Sequence, residues 1–270
     1  SRQILLPEIG GRGQERLLAG RVLLVGAGGL GCPAGLYLAA AGVGTIGLVD
    51  SDLVDLSNLQ RQVAHSTPDI GRPKVESAAE KFKAINPDVT IRPYRERLTA
   101  ANAASLAGQY DFVIDGTDNF ASKFLVADAC HFARKPYSHA GILRFDGQTM
   151  TVLPRETACY RCVFEAPPPA GAVPSCSQAG VLGSVAGVVG MLQATEAIKF
   201  LLGKGSLLTN TLLVYDALRA DFRKIPLKKN PACPLCGVNP VIVELKDEEP
   251  PAACDLSAGG RSPDRPNGKT

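Results

Sequence analysis

The stretch Arg21–Gly31, RVLLVGAGGLG, places four apolar strand formers directly before three glycines at GxGxxG spacing, Gly26, Gly28 and Gly31. An apolar run of this length reads as a buried parallel strand. Glycines at this spacing let the chain turn tightly into a helix while a phosphate approaches backbone N–H groups at the positive end of the helix dipole. Asp50 lies 19 residues beyond Gly31, after a second apolar run, where a carboxylate can accept hydrogen bonds from ribose hydroxyls. Loop and carboxylate together suit NAD, FAD or ATP equally well.

Outward from this loop, short apolar runs alternate with amphipathic stretches. Strands are predicted at 21–26, 45–50, 89–94 and 111–116, and helices from Leu30 to Ala41, Pro73 to Ile85, Thr99 to Ala107 and Phe120 to Arg134. Four such alternations specify a Rossmann-like, doubly wound α/β sheet with ligands beyond the carboxyl ends of its strands. The second half differs: KPYSHAGI, GQTMTVL, TLLVYDA and DFRKIPL read as a mixed, partly antiparallel extension of the same sheet, with a helix from Val181 to Leu202 packed on it. Residues 1–245 are expected to form one domain. Residues 246–270, rich in Pro, Gly and charge, are expected to be a disordered tail or linker.

Composition narrows the function classes. The chain has 270 residues, 45% of them apolar, and a net charge of +3 spread along its length. Its one basic cluster (Arg223, Lys224, Lys228, Lys229) is too sparse for a nucleic-acid surface. The uncharged stretch 166–195 is broken by prolines and glycines and makes a poor membrane span. Eight cysteines without a secretory signal point to a reducing, cytoplasmic setting, where paired cysteines bind metal more readily than they form disulfides.

Between the second strand and the Pro73 helix, DLSNLQRQVAHSTPDIGRPK supplies Ser57, Asn58, Leu59, Gln60, Arg61 and Lys74. A dinucleotide's two phosphates are largely satisfied by loop and helix N-terminus. A triphosphate losing pyrophosphate carries more charge and benefits from fixed cations, so Arg61 and Lys74 favour ATP. IDGTDN then sets Asp115, Asp118 and Asn119 just past the fourth strand. Asp118 has two readings, a Mg²⁺ ligand or the N-cap of the following helix. The three histidines, His65, His131 and His139, form no evident triad.

The motifs GAGGLG, LVDSDLVDLSNLQRQ, GRPKVESA, DGTDN, CYRC and NPACPLCG, colinear over residues 2–237, resemble the MoeB/ThiF family, relatives of ubiquitin-activating enzymes. The resemblance implies an adenylyltransferase that uses ATP and Mg²⁺ to activate the C-terminal glycine of a ubiquitin-like sulfur carrier of the MoaD/ThiS type. It carries Gly29, Asp50, Ser57, Asn58, Arg61, Lys74, Asp118 and Asn119 to ATP binding and catalysis. It matches Arg2 to an arginine that reaches the triphosphate from a neighbouring subunit, hence a homodimer. A sulfurtransferase or cysteine desulfurase would be a further partner. Molybdenum cofactor, thiamine and tRNA thiolation pathways all use this activation. The nucleophile would be a carboxylate of pKa ~3.5, ionised at neutral pH and needing no general base. Two other classes stay open: a NAD-dependent oxidoreductase and an idle carrier-binding scaffold.

Cys159 and Cys162 in CYRC, with Cys233 and Cys236 in CPLC, match a Cys₄ site that leaves Zn²⁺ no open position, a structural clip. Cys176, in the uncharged loop APPPAGAVPSCSQAG, is expected to be exposed, and the resemblance makes it a candidate nucleophile that forms a thioester or acyl disulfide with the carrier. The family's carrier tail threads beneath a crossover loop, here placed at 166–180. Cys32 and Cys130 are expected in the core.

Overall fold

A computed structural model describes residues 2–169 and 179–247. Cys176, most of the 166–180 loop and the tail from residue 248 lie outside the described residues. The chain forms an eight-stranded sheet in the order β3-β2-β1-β4-β5-β6-β7-β8. The strands are β1 (Arg21–Val25), β2 (Thr45–Val49), β3 (Thr90–Tyr94), β4 (Phe112–Asp115), β5 (Tyr137–Leu143), β6 (Asp146–Val152), β7 (Thr211–Asp216) and β8 (Asp221–Pro226). Strands β3 through β5 along that order are parallel. The pairs from β5 to β8 are antiparallel, as the change of sequence character predicts.

Alternation along each strand sorts the core into two layers. Val22 and Leu24 of β1, Ile46 and Leu48 of β2, and Phe112 and Ile114 of β4 face four helices: α1 (Gly10–Ala19), α2 (Gly31–Ala41), α3 (Lys74–Ile85) and α7 (Gly183–Leu202). Leu23, Val25, Val49 and Val113 face the other way, against α4 (Ala103–Gly108), α5 (Phe120–Ala133) and the short α6 (Tyr160–Val163). Cys32 and Cys130 are buried, one in each layer. With both faces covered, the central strands read as continuous apolar runs.

By length and composition alone, α7 could cross a membrane. Here it packs against α2 and β5 and carries two polar tethers. Gln193 donates through Nε2 to the carbonyls of Asp115 (2.9 Å) and Ser138 (3.0 Å), while Glu196 accepts from Thr151 Oγ1 (2.6 Å) and Leu208 N (2.7 Å).

Two elements depart from the sequence reading. Helix α1 went unpredicted because Gly10, Gly11 and Gly13 mask its pattern; it is held by Leu17, fully buried beneath it. Helix α4 starts at Ala103 rather than Thr99, because Asn102 Oδ1 accepts from Thr99 N at 2.8 Å and closes a side-chain turn first.

After β1 the chain leaves for β2 and β3 on one side and returns at β4 on the other, so the sheet's switch point opens between β1 and β4. Gly26 turns the chain there at φ +100°, and a Cβ on it would lie 2.8 Å from the Gly116 carbonyl. A Cβ on Gly31 would overlap the Gly26 carbonyl oxygen, so α2 leaves the sheet against bare backbone. Gly28 is different: the nearest atom to its Cβ position is Gln62 Nε2 at 3.6 Å, an ordinary contact. Gly31→Ala should therefore cost about 3 kcal/mol or more, whereas Gly28→Ala should leave the melting temperature within a few degrees of the parent. Thermal unfolding of the two variants checks this contrast.

Candidate functional site

The loop between β1 and α2 presents unused donors at the switch point. Asp50, just past β2, accepts from Ala27 N at 2.8 Å through Oδ2 and from Asp52 N at 2.8 Å through Oδ1. Burial pushes its carboxyl above the usual range, against the opposing pull of the Lys74 ammonium and these two N–H groups. Among the described residues, the N–H groups of Gly28 and Gly29 find no acceptor. They sit at the N-terminal end of α2, where the dipole favours an anion. Packing leaves room for a side chain at Gly28, so its glycine keeps free a space beside Gln62 that a Cβ would fill.

Two of the cations expected here are present. Arg61 lies across the loop: a Cβ on Gly29 would be 3.5 Å from its Cγ, and its Nη1 donates to Ser57 O at 3.1 Å. Lys74, first residue of α3, is buried at 7% exposure with its Nζ 2.8 Å from Asp52 Oδ2. Ser57 and Asn58 lie in a short 3-10 turn (Leu56–Asn58), where Asp55 Oδ1 accepts from Ser57 N (2.8 Å) and Oγ (2.5 Å). Leu59 and Gln60 follow it, and the Gln60 carbonyl crosses closely over Gly183 at the start of α7.

Beside the loop, β1 and β4 run in register with Val25 opposite Asp115. The α5 N-cap is Asn119, whose Oδ1 accepts from Ser122 N at 2.8 Å, so the capping reading of Asp118 is corrected. Asp118 is exposed, with no hydrogen bond or ion pair among the described residues. Arg2 is exposed on the 3-10 helix Arg2–Leu5.

Lys123, which sequence reasoning passed over, underlies this surface together with Asp115 and His139, which it named without partners. Asp115 ends β4 rather than following it and is 1% exposed. It accepts from Thr117 N (3.0 Å) and Thr117 Oγ1 (2.6 Å), from His139 Nδ1 (2.9 Å) and from Lys123 Nζ (3.4 Å). Burial alone would raise its pKa, yet the Lys123 ammonium and the His139 hydrogen bond hold it at about 2. Lys123 also donates to Thr117 O at 2.7 Å, pinning the turn that carries Asp118. A lone lysine directly before the largely apolar run FLVADAC was the available signal.

The four CxxC cysteines converge. Their sulfurs lie within 4.8 Å of one another: 3.7 Å for Cys159–Cys162, 3.6 Å for Cys159–Cys233, 3.4 Å for Cys162–Cys236 and 3.4 Å for Cys159–Cys236. Four thiolates around Zn²⁺ at Zn–S of ~2.3 Å would stand ~3.8 Å apart, so the donor set fits that ion. Asn230 N and Cys236 N donate to Cys162 Sγ (3.4 Å) and Cys233 Sγ (3.5 Å), as thiolates require. The clip is seated on the sheet by its own side chains. Tyr160 packs on His139 at 4.4 Å between centroids, and Arg161 makes a buried bidentate pair with Asp128 of α5 (2.8 Å each).

Comparison with known proteins agrees with this arrangement. The chain is 48% identical over 260 residues to a sulfur carrier protein adenylyltransferase of Thermus thermophilus, covering 94% of this chain and 95% of that protein. It is 48% identical over 237 residues to the SAMP-activating enzyme E1 of Haloferax volcanii, covering 88% and 87%. It is 50% identical over 259 residues to the adenylyltransferase and sulfurtransferase MOCS3 of Bos taurus, covering 96% of this chain and 56% of that longer protein. Among solved structures, the fold matches E. coli MccB with ATP at a TM-score of 0.73 and 22% identity, over 83% of this chain and 68% of that one. A family model described as "ThiF family" matches residues 1–235, and the chain belongs to the ThiF family.

Proposed function

We propose that this protein adenylates the C-terminal glycine of a ubiquitin-like sulfur-carrier protein with ATP, releasing pyrophosphate and preparing the carrier for thiocarboxylate formation. The observation that carries the proposal is the loop: two N–H donors without acceptors, with free space at Gly28, flanked by Asp50, Arg61 and Lys74. A carboxylate oxygen of the carrier attacks the α-phosphorus, the new O–P bond replaces the bond to pyrophosphate, and no proton moves. Catalysis then consists of alignment and charge neutralisation.

In this reading Asp50 holds the ribose and the Gly28 and Gly29 N–H groups hold phosphate oxygens, with Gly26 and Gly31 shaping the loop. Ser57, Asn58, Leu59, Gln60 and Asn119 complete the nucleotide wall. Arg61 and Lys74 take up charge on the departing pyrophosphate, joined by Arg2 from the second protomer of a homodimer. Lys74 needs only to exchange its exposed partner Asp52 for phosphate. Asp118, with its carboxylate unused, would hold Mg²⁺, which supplies further neutralisation of the phosphates. Zn²⁺ on Cys159, Cys162, Cys233 and Cys236 would be structural. Cys176 is kept as the candidate acyl acceptor after adenylation, and a sulfurtransferase or cysteine desulfurase as the sulfur source. We place the enzyme in the cytoplasm. Nothing in the geometry favours the nicotinamide reading, which leaves Arg61 and Lys74 without a task.

ATP–pyrophosphate exchange with a purified carrier ending in Gly-Gly tests the proposal. Exchange should require the carrier and fall roughly 100-fold or more in Arg61→Ala and Lys74→Ala. Gly28→Ala, although folded, should bind ATP about tenfold or more weakly. Carrier-independent ATP hydrolysis, or exchange undiminished in Lys74→Ala, would refute it.

Metal analysis should find about one zinc per chain. Stripping it with a chelator, or Cys233→Ser, should lower the melting temperature by several degrees and expose the four thiols, or the three that remain in the variant, to a thiol reagent. Metal content of zero with unchanged stability would remove the clip from the account.

A further inference from the structure

The Ala27 peptide, which joins Ala27 C=O to Gly28 N–H, is gripped by two buried side chains outside the catalytic set, one of them backed by a third. His65, 6% exposed, approaches the Ala27 carbonyl oxygen with Nε2 at 3.0 Å, and the Cys32 thiol donates to the same oxygen at 3.2 Å. On its other side, His65 Nδ1 lies 2.9 Å from the hydroxyl of Ser77, a residue of α3 with no solvent exposure. A carbonyl oxygen only accepts, so Nε2 must carry the proton. Neutral imidazole then leaves Nδ1 as acceptor for the Ser77 hydroxyl. Burial keeps both donors in these forms, holding the Cys32 thiol protonated with its pKa raised to about 12 and lowering the pKa of His65.

A trans peptide points its N–H opposite to its C=O. Turning the Ala27 carbonyl inward onto His65 and Cys32 therefore turns Gly28 N–H outward, where it has no acceptor among the described residues. Asp50 fixes the preceding peptide through Ala27 N. We propose that His65, held in its Nε2–H tautomer by the Ala27 carbonyl, braced by Ser77 and assisted by Cys32, is a positioning residue that presents the Gly28 N–H to the nucleotide phosphates. Without this grip the Ala27–Gly28 peptide is free to flip and point a carbonyl at the phosphate, replacing a hydrogen bond with a repulsion. The inference rests on the adenylation reading for the identity of the ligand.

Two variants of matched polarity separate positioning from packing. In Gln the side-chain Nε2 occupies the place of imidazole Nε2, whereas Asn reaches only as far as Nδ1. H65Q should keep KM for ATP within about threefold of the parent, and H65N should raise it about tenfold, with kcat changed less than KM. Both remove the ring, so a purely structural role would lower their melting temperatures together and leave KM for ATP alike. Nitrogen-15 NMR of the imidazole in the parent protein supplies a second readout that needs no variant. It should report a neutral Nε2–H ring at pH 7, retained in Ser77→Ala because the Ala27 carbonyl still faces Nε2. Equal KM in H65Q and H65N, or an Nδ1–H ring in the parent, overturns the inference. A parent that shows the tautomer and binds ATP but supports no carrier-dependent exchange leaves the positioning role standing and refutes the adenylation reading.

Discussion

Everything at the mouth of the sheet follows from how closely the Gly26 carbonyl approaches Gly31. The missing side chain at Gly31 lets α2 begin against the end of β1, and the positive φ of Gly26 makes the turn between them. That contact aims the helix's N-terminal end at the carboxyl ends of β1 and β4, where the chain connections leave in opposite directions. Asp50, Arg61 and Lys74 are grouped around the same place because the segments that carry them leave β2 and lead into α3 on that side.

The remaining architecture keeps this mouth rigid. One layer of buried polar groups lies under it: Asp115 with Lys123 and His139, and Gln193 bonded to two carbonyls at the ends of β4 and β5. Such groups are costly to bury unless paired. Asp115 and Lys123 are paired with one another, with His139 Nδ1 and with the turn at Thr117, while His139 Nε2 and Gln193 Oε1 have no partner among the described residues. The cysteine clip braces the same layer from the opposite face, since Tyr160 packs on His139 and Arg161 grips α5 through Asp128. A structural metal there would lock the C-terminal segment and the base of the site in one step.

The sequence alone determined a good deal. Apolar runs that alternate with helical spacing gave the centre of the parallel sheet, β1, β2 and β4, because both faces of those strands are covered. GxGxxG with Asp50 announced a nucleotide-type loop, and two CxxC pairs announced a tetrahedral clip, since each is a local pattern with one dominant chemical use. Where local chemistry competes with periodicity, the reading slipped. Three glycines hid α1, and the side-chain turn at Asn102 delayed α4.

What only the tertiary structure decided are the contacts between residues far apart in the chain. No spacing rule joins Asp115 to His139, Ala27 to His65, or His65 to Ser77, across 24, 38 and 12 positions. Each histidine read in isolation is a solitary residue in an apolar neighbourhood. Nor does sequence reveal that Asn119, rather than Asp118, caps α5, because either could accept the helix's free N–H until the backbone fixes which one faces it. Hydrogen bonds depend on distance and angle in space, so periodicity can name the strands and the loop while only the folded backbone settles which donors are used and which are left for a ligand.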